Sequence, residues 1–418
     1  MKTLITNIKA FINGNFIDTK ILLNDEKIIE VSENITADSD TKVIDGKNAY
    51  VSYGFIDPHV HFRTPGAENK ENWNSGSKAA LAGGFTYVLD MPNNTPAATD
   101  FDILKKKTEI AKKDSLVNFG FYLGLTEENS THLSEILEQC KKDSVPVFGI
   151  KVFLGASTGS LLVENIETIE KAFAVGVPVL FHGEENSLLK NSVFTTLEQH
   201  EANRPAKAEI EAIRKIKKAA EKYKNTAKIY ICHLSSDGGL QEALKMRNEG
   251  FNIYLEATPH HLVLNLEAIT SSPIAKVNPP IRHKNDMTAL QNALKNSQID
   301  CIGTDHAPHL IEEKTSDDPP SGFPGLETAF YALNTLVSKK VITLEQLIEK
   351  LTEAYKIFNI AMHGEIKAGY YANLVFLQHK HTVFNAANAN TKAKFSPFDN
   401  ITSDISIEHV FVNGKQNY

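Results

Sequence analysis

Two histidines, His59 and His61, follow an apolar run over 52–56 that reads as a strand. On extended backbone, residues two apart point to the same side. Both imidazoles of Asp57-Pro58-His59-Val60-His61 therefore face one volume, and such a pair chelates a divalent cation well. Alone the H-x-H motif is weak, because two surface histidines in a loop satisfy it too. It gains weight from three other strand-like runs, which lead into His182, His233 and Asp305. A further run, 147–154, carries Lys151 in its middle. A buried, charged and unpartnered lysine is costly. Either its ammonium snorkels to a rim or finds an ion pair, or its amine has combined with CO₂. The resulting carbamate has two oxygens and can bridge two cations. On that reading His59, His61 and Asp305 hold one cation, and His182 with His233 the other. Nitrogen and oxygen donors of this kind suit Zn²⁺ best, with Co²⁺ and Mn²⁺ as alternatives. Cys232 precedes His233 in a strand, so it is expected to point the other way, as a small core residue.

Side chains from distant parts of the chain meet only if the fold brings their strand ends together. Eight apolar runs of strand length recur between residues 52 and 303, with helix-length segments in most gaps. Continuous apolar strands alternating with helices indicate a parallel sheet covered by helices. Eight such units point to a closed (β/α)₈ barrel, whose strand C-termini converge on one mouth. The clearest helix is expected over about 206–224, with Ile210, Ile213 and Ile216 inward and Lys and Glu outward. Both termini are β-rich, and Asn13-Gly14 is a hairpin signal. The expected fold is thus an α/β, TIM-like (β/α)₈ barrel over 52–364, which the family resemblance given below makes a metal-dependent hydrolase barrel. Residues 1–51 and 365–418 would together form a small β-sandwich domain.

The length of 418 residues suits that arrangement. A formal net charge of −7 argues against nucleic acid or an anionic membrane as the main partner. Three cysteines, none in a C-x-x-C pair, read as a reduced chain, and a cytoplasmic location is expected. No signal peptide or bilayer-spanning run is evident.

Four segments add specificity: Asp57-Pro58-His59-Val60-His61-Phe62-Arg63-Thr64-Pro65-Gly66, Met91-Pro92-Asn93-Asn94, Lys276-Val277-Asn278-Pro279-Pro280-Ile281-Arg282, and Gly303-Thr304-Asp305-His306-Ala307-Pro308-His309. From about Gly54 to Glu327 the chain resembles the amidohydrolase superfamily, and within it the dihydroorotases of the carbamylated-lysine form. The resemblance implies reversible cyclisation of N-carbamoyl-L-aspartate to dihydroorotate in pyrimidine biosynthesis. It implies two Zn²⁺ bridged by carbamylated Lys151, with Asp305 as ligand and proton carrier. It places Arg63, Asn93 and His309 on the substrate carboxylate, and Asn278 with Ser321 and Gly322 on the ring. Arg63 suits a carboxylate, since its planar fork of donors matches that group. Other readings are a hydantoinase- or allantoinase-type cyclic amidohydrolase, which does not need a cation there, and a non-catalytic scaffold of the same fold. The stretch 309–322 is expected to be a mobile loop beside the mouth, and the 155–160 loop fits no single pattern. A small-molecule substrate is expected, and a homodimer follows only by analogy.

Overall fold

The computed structural model describes residues 2–156, 161–190, 196–269 and 273–418. The chain opens with β1 (Lys2–Ile12), β2 (Asn15–Asn24), β3 (Lys27–Val31) and β4 (Lys42–Tyr53). Asn13 and Gly14 both have positive φ, 51° and 81°. This tight turn pairs Ile12 with Asn15 and is the conformation Asn-Gly favours. Eight parallel strands follow: β5 (Phe55–Val60), β6 (Phe85–Asp90), β7 (Asn118–Gly124), β8 (Val147–Phe153), β9 (Pro178–His182), β10 (Lys228–Ile231), β11 (Ile253–Ala257) and β12 (Cys301–Ile302). The chain ends with β13 (Leu374–Val383), β14 (Thr402–Val412) and β15 (Lys415–Gln416).

The terminal strands build one seven-stranded sheet in the order β15-β14-β13-β4-β1-β2-β3. In it β4 pairs in parallel with β1 and antiparallel with β13, so both ends of the chain share a sheet. Ser52 and Tyr53, expected to open the first barrel strand, belong instead to β4. Gly54 makes the transfer between the two bodies. A side chain there would meet Thr86 at 2.2 Å, so only glycine permits the approach.

The barrel strands run in sequence order from β5 to β12. β12 has only two residues, and closure is completed beyond it. The amide of His61 donates to the carbonyl of His306 at 2.8 Å, and Val60 and His306 form a parallel bridge. Below this, the Asp57 carboxylate accepts the amides of His59 and Thr304, each at 3.0 Å. The first and last strands are therefore locked together beside the candidate ligands.

Helices cover the outside. The helix Ala206–Ala220 buries Ala208, Ala212, Ile213 and Ile216. Its Glu209 also faces inward, contrary to the expected polar outer face. The carboxylate accepts the amides of Ser235 and Ser236 at 2.8 and 2.9 Å, which fixes the loop after His233. Inside the barrel, one cluster links Tyr122, Leu180 and Tyr230 to Tyr355 and Phe358, and then to Val51 and Leu374 of the terminal sheet. Among the described residues, no helix is long and apolar enough to cross a membrane.

Lys107 of the helix Phe101–Asp114 is fully buried against Asp90 of β6, at 2.7 Å. The ammonium also donates to the carbonyl of Met91 at 2.9 Å, and Asp90 accepts the amide of Phe62 at 2.7 Å. One ion pair thus braces the segments carrying Arg63 and Asn93. Removing one partner of such a pair strands the other charge, at a cost of about 3–5 kcal/mol. Lys107→Met should lower stability by that amount in urea unfolding, and adding Asp90→Asn should recover part of it.

Candidate metal centre

The expected ligands converge at the C-terminal mouth of the barrel. His59 lies within β5, His182 ends β9 and Lys151 lies within β8, while His61, His233 and Asp305 follow their strands. One cavity is lined by His59, His61, Lys151, His182, His233 and Asp305, together with Arg63, Asn93, Asn278, Ser321 and Gly322. His309 is not among its lining residues and backs Arg63 instead.

Two ligand groups are resolved by distance. Nε2 of His61 and His59 lie 3.1 and 3.4 Å from the same Asp305 oxygen. Nδ1 of His182 and Nε2 of His233 face each other at 2.9 Å. The His59 and His233 rings are 5.2 Å apart, which joins the two groups. Burial, followed by the charge of Lys151, holds His59 well below the usual imidazole range. Burial also lowers His182, and burial with His182 lowers His233. These rings are neutral and able to offer lone pairs. Burial acts to raise Asp305, but protonated His59 and His61 would hold it down to about 2, and a cation held by the same rings would act in the same sense, which favours the anion.

The other ring nitrogens explain the direction of those lone pairs. His59 places Nδ1 at 2.8 Å from Glu256, His61 places Nδ1 at 2.7 Å from Asn93 Oδ1, and His182 places Nε2 at 2.9 Å from Glu184. Each outer N–H is taken by an oxygen acceptor, which leaves the inner nitrogen free to ligate. His233 differs: its Nδ1 is buried without a hydrogen-bond partner among the described residues. A neutral, oriented imidazole set beside one carboxylate fits a divalent cation.

Lys151 is fully buried, and its Nζ donates to Cys232 Sγ at 2.9 Å. Cys232 therefore does not point away from the site. It is a core residue, but it lies directly beneath the candidate bridging group. The expected alternation fails because His233 has a φ of +35°, which breaks the extended backbone and turns successive side chains toward the barrel axis. Asp305 and Arg63 also have positive φ, 50° and 59°. Such conformations are uncommon for non-glycine residues and gather at functional sites.

Comparisons with known proteins identify the family. Residues 50–416 match the amidohydrolase family. A dihydroorotase of Methanosphaera stadtmanae is 36% identical over 399 residues, covering 92% of this chain and 88% of that one. A dihydroorotase of Fusobacterium nucleatum is 32% identical, covering 95% and 94%. The chain belongs to the dihydroorotase family of amidohydrolases. The fold is likewise that of an L-hydantoinase from Arthrobacter aurescens, with a TM-score of 0.91 at 24% identity, covering 99% of this chain and 95% of that one.

Within this family member, Arg63 is buried, and burial brings its pKa down to about 10, so it stays charged at neutral pH. Its Nε donates to the carbonyl of Pro308 at 3.1 Å, which aims the fork. The Asn93 oxygen orients His61, a contact that the sequence did not suggest. Ser321 donates to Asn278 Oδ1 at 3.0 Å. Gly322 has a φ of +122°, and a Cβ there would meet the carbonyl of Ala307 at 2.6 Å. The Asn278 segment is clamped by His200, whose Nε2 lies 2.9 Å from Val277 O, and by His261, 3.2 Å from Pro279 O and Pro280 O. The 309–322 stretch, expected as a mobile loop, contains a helical turn at Ile311–Lys314. Buried Lys314 ties it to the carbonyls of Lys276 and Pro320 at 3.0 and 2.9 Å. Of the 155–160 loop, positions 157–160 lie outside the described residues.

Sequence reasoning missed Glu184, Arg204 and Glu256. Arg204 holds Glu184 by ion pairing at 2.5 Å and also donates to Ala156 O at 3.0 Å. The His182-Gly183-Glu184 spacing is the signal that a supporting carboxylate follows a ligand. Glu184→Gln should weaken metal retention by ~10–100-fold, measured as residual metal after dialysis against graded chelator. Burial lowers His200 and His261 to about 4. Their stabilising neutral form is complete above the unfolded value of about 6.5 and is lost as pH falls toward 4. Urea stability of metal-stripped protein should fall over that window, by roughly 3 kcal/mol for each of the two. His200→Gln should reduce the slope by its share.

Proposed function

We propose that this chain closes N-carbamoyl-L-aspartate to dihydroorotate and water, reversibly, as a metal-dependent cyclic amidohydrolase of pyrimidine synthesis. The observation that carries the substrate choice is Arg63, a buried cation lining the cavity that holds the ligand cluster. A free substrate carboxylate satisfies it, whereas a neutral hydantoin or allantoin ring leaves it facing no anion. The hydantoinase likeness concerns the fold.

The donor set fits two Zn²⁺. His59, His61 and Asp305 would hold one, His182 and His233 the other, with Lys151 bridging as its carbamate. That carbamate forms when the amine adds to CO₂ and loses a proton. When bound, the cations activate water and polarise the ring amide carbonyl. Asp305, already an anion, accepts a proton in the hydrolytic direction and delivers it to the ring nitrogen. In the biosynthetic direction it first receives the proton of the attacking carbamoyl nitrogen. Arg63, with Asn93 and His309, fixes the carboxylate, while Asn278, Ser321 and Gly322 contact the ring. We further read 52–364 as the catalytic unit and 1–51 with 365–418 as its companion, in a cytoplasmic homodimer.

Purified protein should turn over dihydroorotate, and turnover of hydantoin and allantoin alone would overturn the assignment. Arg63→Met should raise KM by ~100-fold, equivalent to roughly 3 kcal/mol for a charged hydrogen-bonded pair, with metal content unchanged. Asp305→Ala should lower kcat by ~10²–10⁴-fold, and near-normal activity would require another base.

A further inference from the structure

The connection between β13 and β14 leaves the terminal sheet and returns to it. Its neck is closed by two backbone bonds, Phe384 N to Ile401 O at 2.9 Å and Asn400 N to Phe384 O at 3.0 Å. Between them, residues 385–400 reach the barrel mouth, and the roles proposed above do not use them. One set of contacts is polar. Thr391 Oγ1 donates to the buried Glu71 carboxylate at 2.5 Å, and Lys392 Nζ donates to the carbonyl of Glu68. Both acceptors lie on the stretch that follows Arg63. Glu327, in the first turn of the helix Leu326–Ser338, accepts the amides of Asn390 and Thr391 at 2.9 and 3.1 Å.

The other set is apolar. Ala393 and Phe395 join Val277, Ile281 and Phe323 in one buried cluster. Val277 and Ile281 lie on either side of Asn278, and Phe323 follows Gly322. These two segments are already tied together, Gly322 N to Lys276 O at 2.9 Å and Ser321 Oγ to Asn278 Oδ1 at 3.0 Å. Asn278, Ser321 and Gly322 line the cavity, whereas Phe395 does not. Phe395 therefore supports the proposed ring contacts without reaching a bound ring. One excursion of the terminal sheet thus grips the segment that carries Arg63 and packs against the segments that face the ring.

We propose that Phe395 is a positioning residue: the excursion, pinned at Glu71 and Glu327, holds it against the Asn278 and Gly322 segments and so sets how far the ring contacts stand from Arg63. This deepens, and rests on, the dihydroorotase reading. A rigid substrate that spans both places requires that spacing, and positioning errors of about 1 Å cost up to ~100-fold. The ligand cluster is held by other elements. Glu256 and Glu184 orient His59 and His182, and Asp57 secures Thr304 beside Asp305. Loss of Phe395 therefore reaches substrate binding and spares the metal centre.

Phe395→Ala opens a cavity behind the cluster. It should raise KM for dihydroorotate by ~10-fold, with kcat within about threefold and metal content unchanged. Phe395→Leu, which refills most of the space, should keep KM within about threefold of wild type. Phe411→Ala is a truncation of the same kind in β14, where the ring packs on Phe376 at 5.5 Å. It should leave KM within about threefold. In the Asn278→Ala background one positioned contact is already gone, so Phe395→Ala should add only about threefold or less. Thr391→Val, which cuts the anchor at Glu71 and keeps the volume, serves if Phe395→Ala does not fold, with the same split between KM and kcat. An unchanged KM in Phe395→Ala, equal rises in Phe395→Ala and Phe411→Ala, or the full Phe395→Ala loss persisting beside Asn278→Ala would overturn the inference while leaving the function intact. Wild-type protein unable to process dihydroorotate would instead remove the functional reading, and this inference with it.

Discussion

An imidazole can present a lone pair inward only when its other nitrogen gives its proton to something outside. The barrel mouth is organised around that requirement. Glu256, Asn93 and Glu184 take the outer protons of His59, His61 and His182. Two of these acceptors are held in turn: Glu256 accepts Tyr230 OH at 2.8 Å and the amide of His233 at 2.8 Å, and Glu184 is gripped by Arg204. Burial holds His59 and His182 below the usual imidazole range, and the second ring of partners keeps all three rings turned. Supporting contacts of this kind raise ligand basicity and fix ring orientation.

The same requirement distorts the backbone. Regular strands alternate side chains between two faces, yet the ligand set needs neighbouring residues to address one axis. Positive φ at His233 and Asp305 solves this locally, at roughly 1–2 kcal/mol for each such residue. The surroundings hold the strain in place: Glu209 secures the loop after His233, while Asp57 and the His306 carbonyl secure the segment around Asp305. Strain at these positions is thus offset by buried hydrogen bonds belonging to other elements.

Much of this was legible in the sequence. Strand periodicity located the barrel, and the polar residue at each strand end located the mouth. The four specific motifs located Arg63 and the Asn278 segment. What was not legible depends on partners far away in the chain. Nothing around Lys107 marks it as the buried mate of Asp90, because lysine on a helix normally reads as solvated. Glu209 sits in a run of polar helix positions and turns inward only because the loop at Ser235 and Ser236 presents amides to it. Cys232 was placed by alternation, which fails wherever φ changes sign. The limit of β12 was equally hidden, since closure passes to His306, outside any apolar run.

The pairing of β4 with β13 has a consequence for how the molecule comes into being. Tyr50 to Tyr53 are hydrogen-bonded to Leu374 to Leu377, more than three-quarters of the chain later. The barrel's own seam joins residue 57 to residue 304 in the same way. A chain emerging from the ribosome can pair neighbouring barrel strands as they appear, but it cannot complete its first sheet until β13, β14 and β15 have also been made. Contacts of such sequence separation form late. The ligand cluster, which needs residue 305 beside residues 59 and 61, is therefore assembled after most of the wall around it has been built.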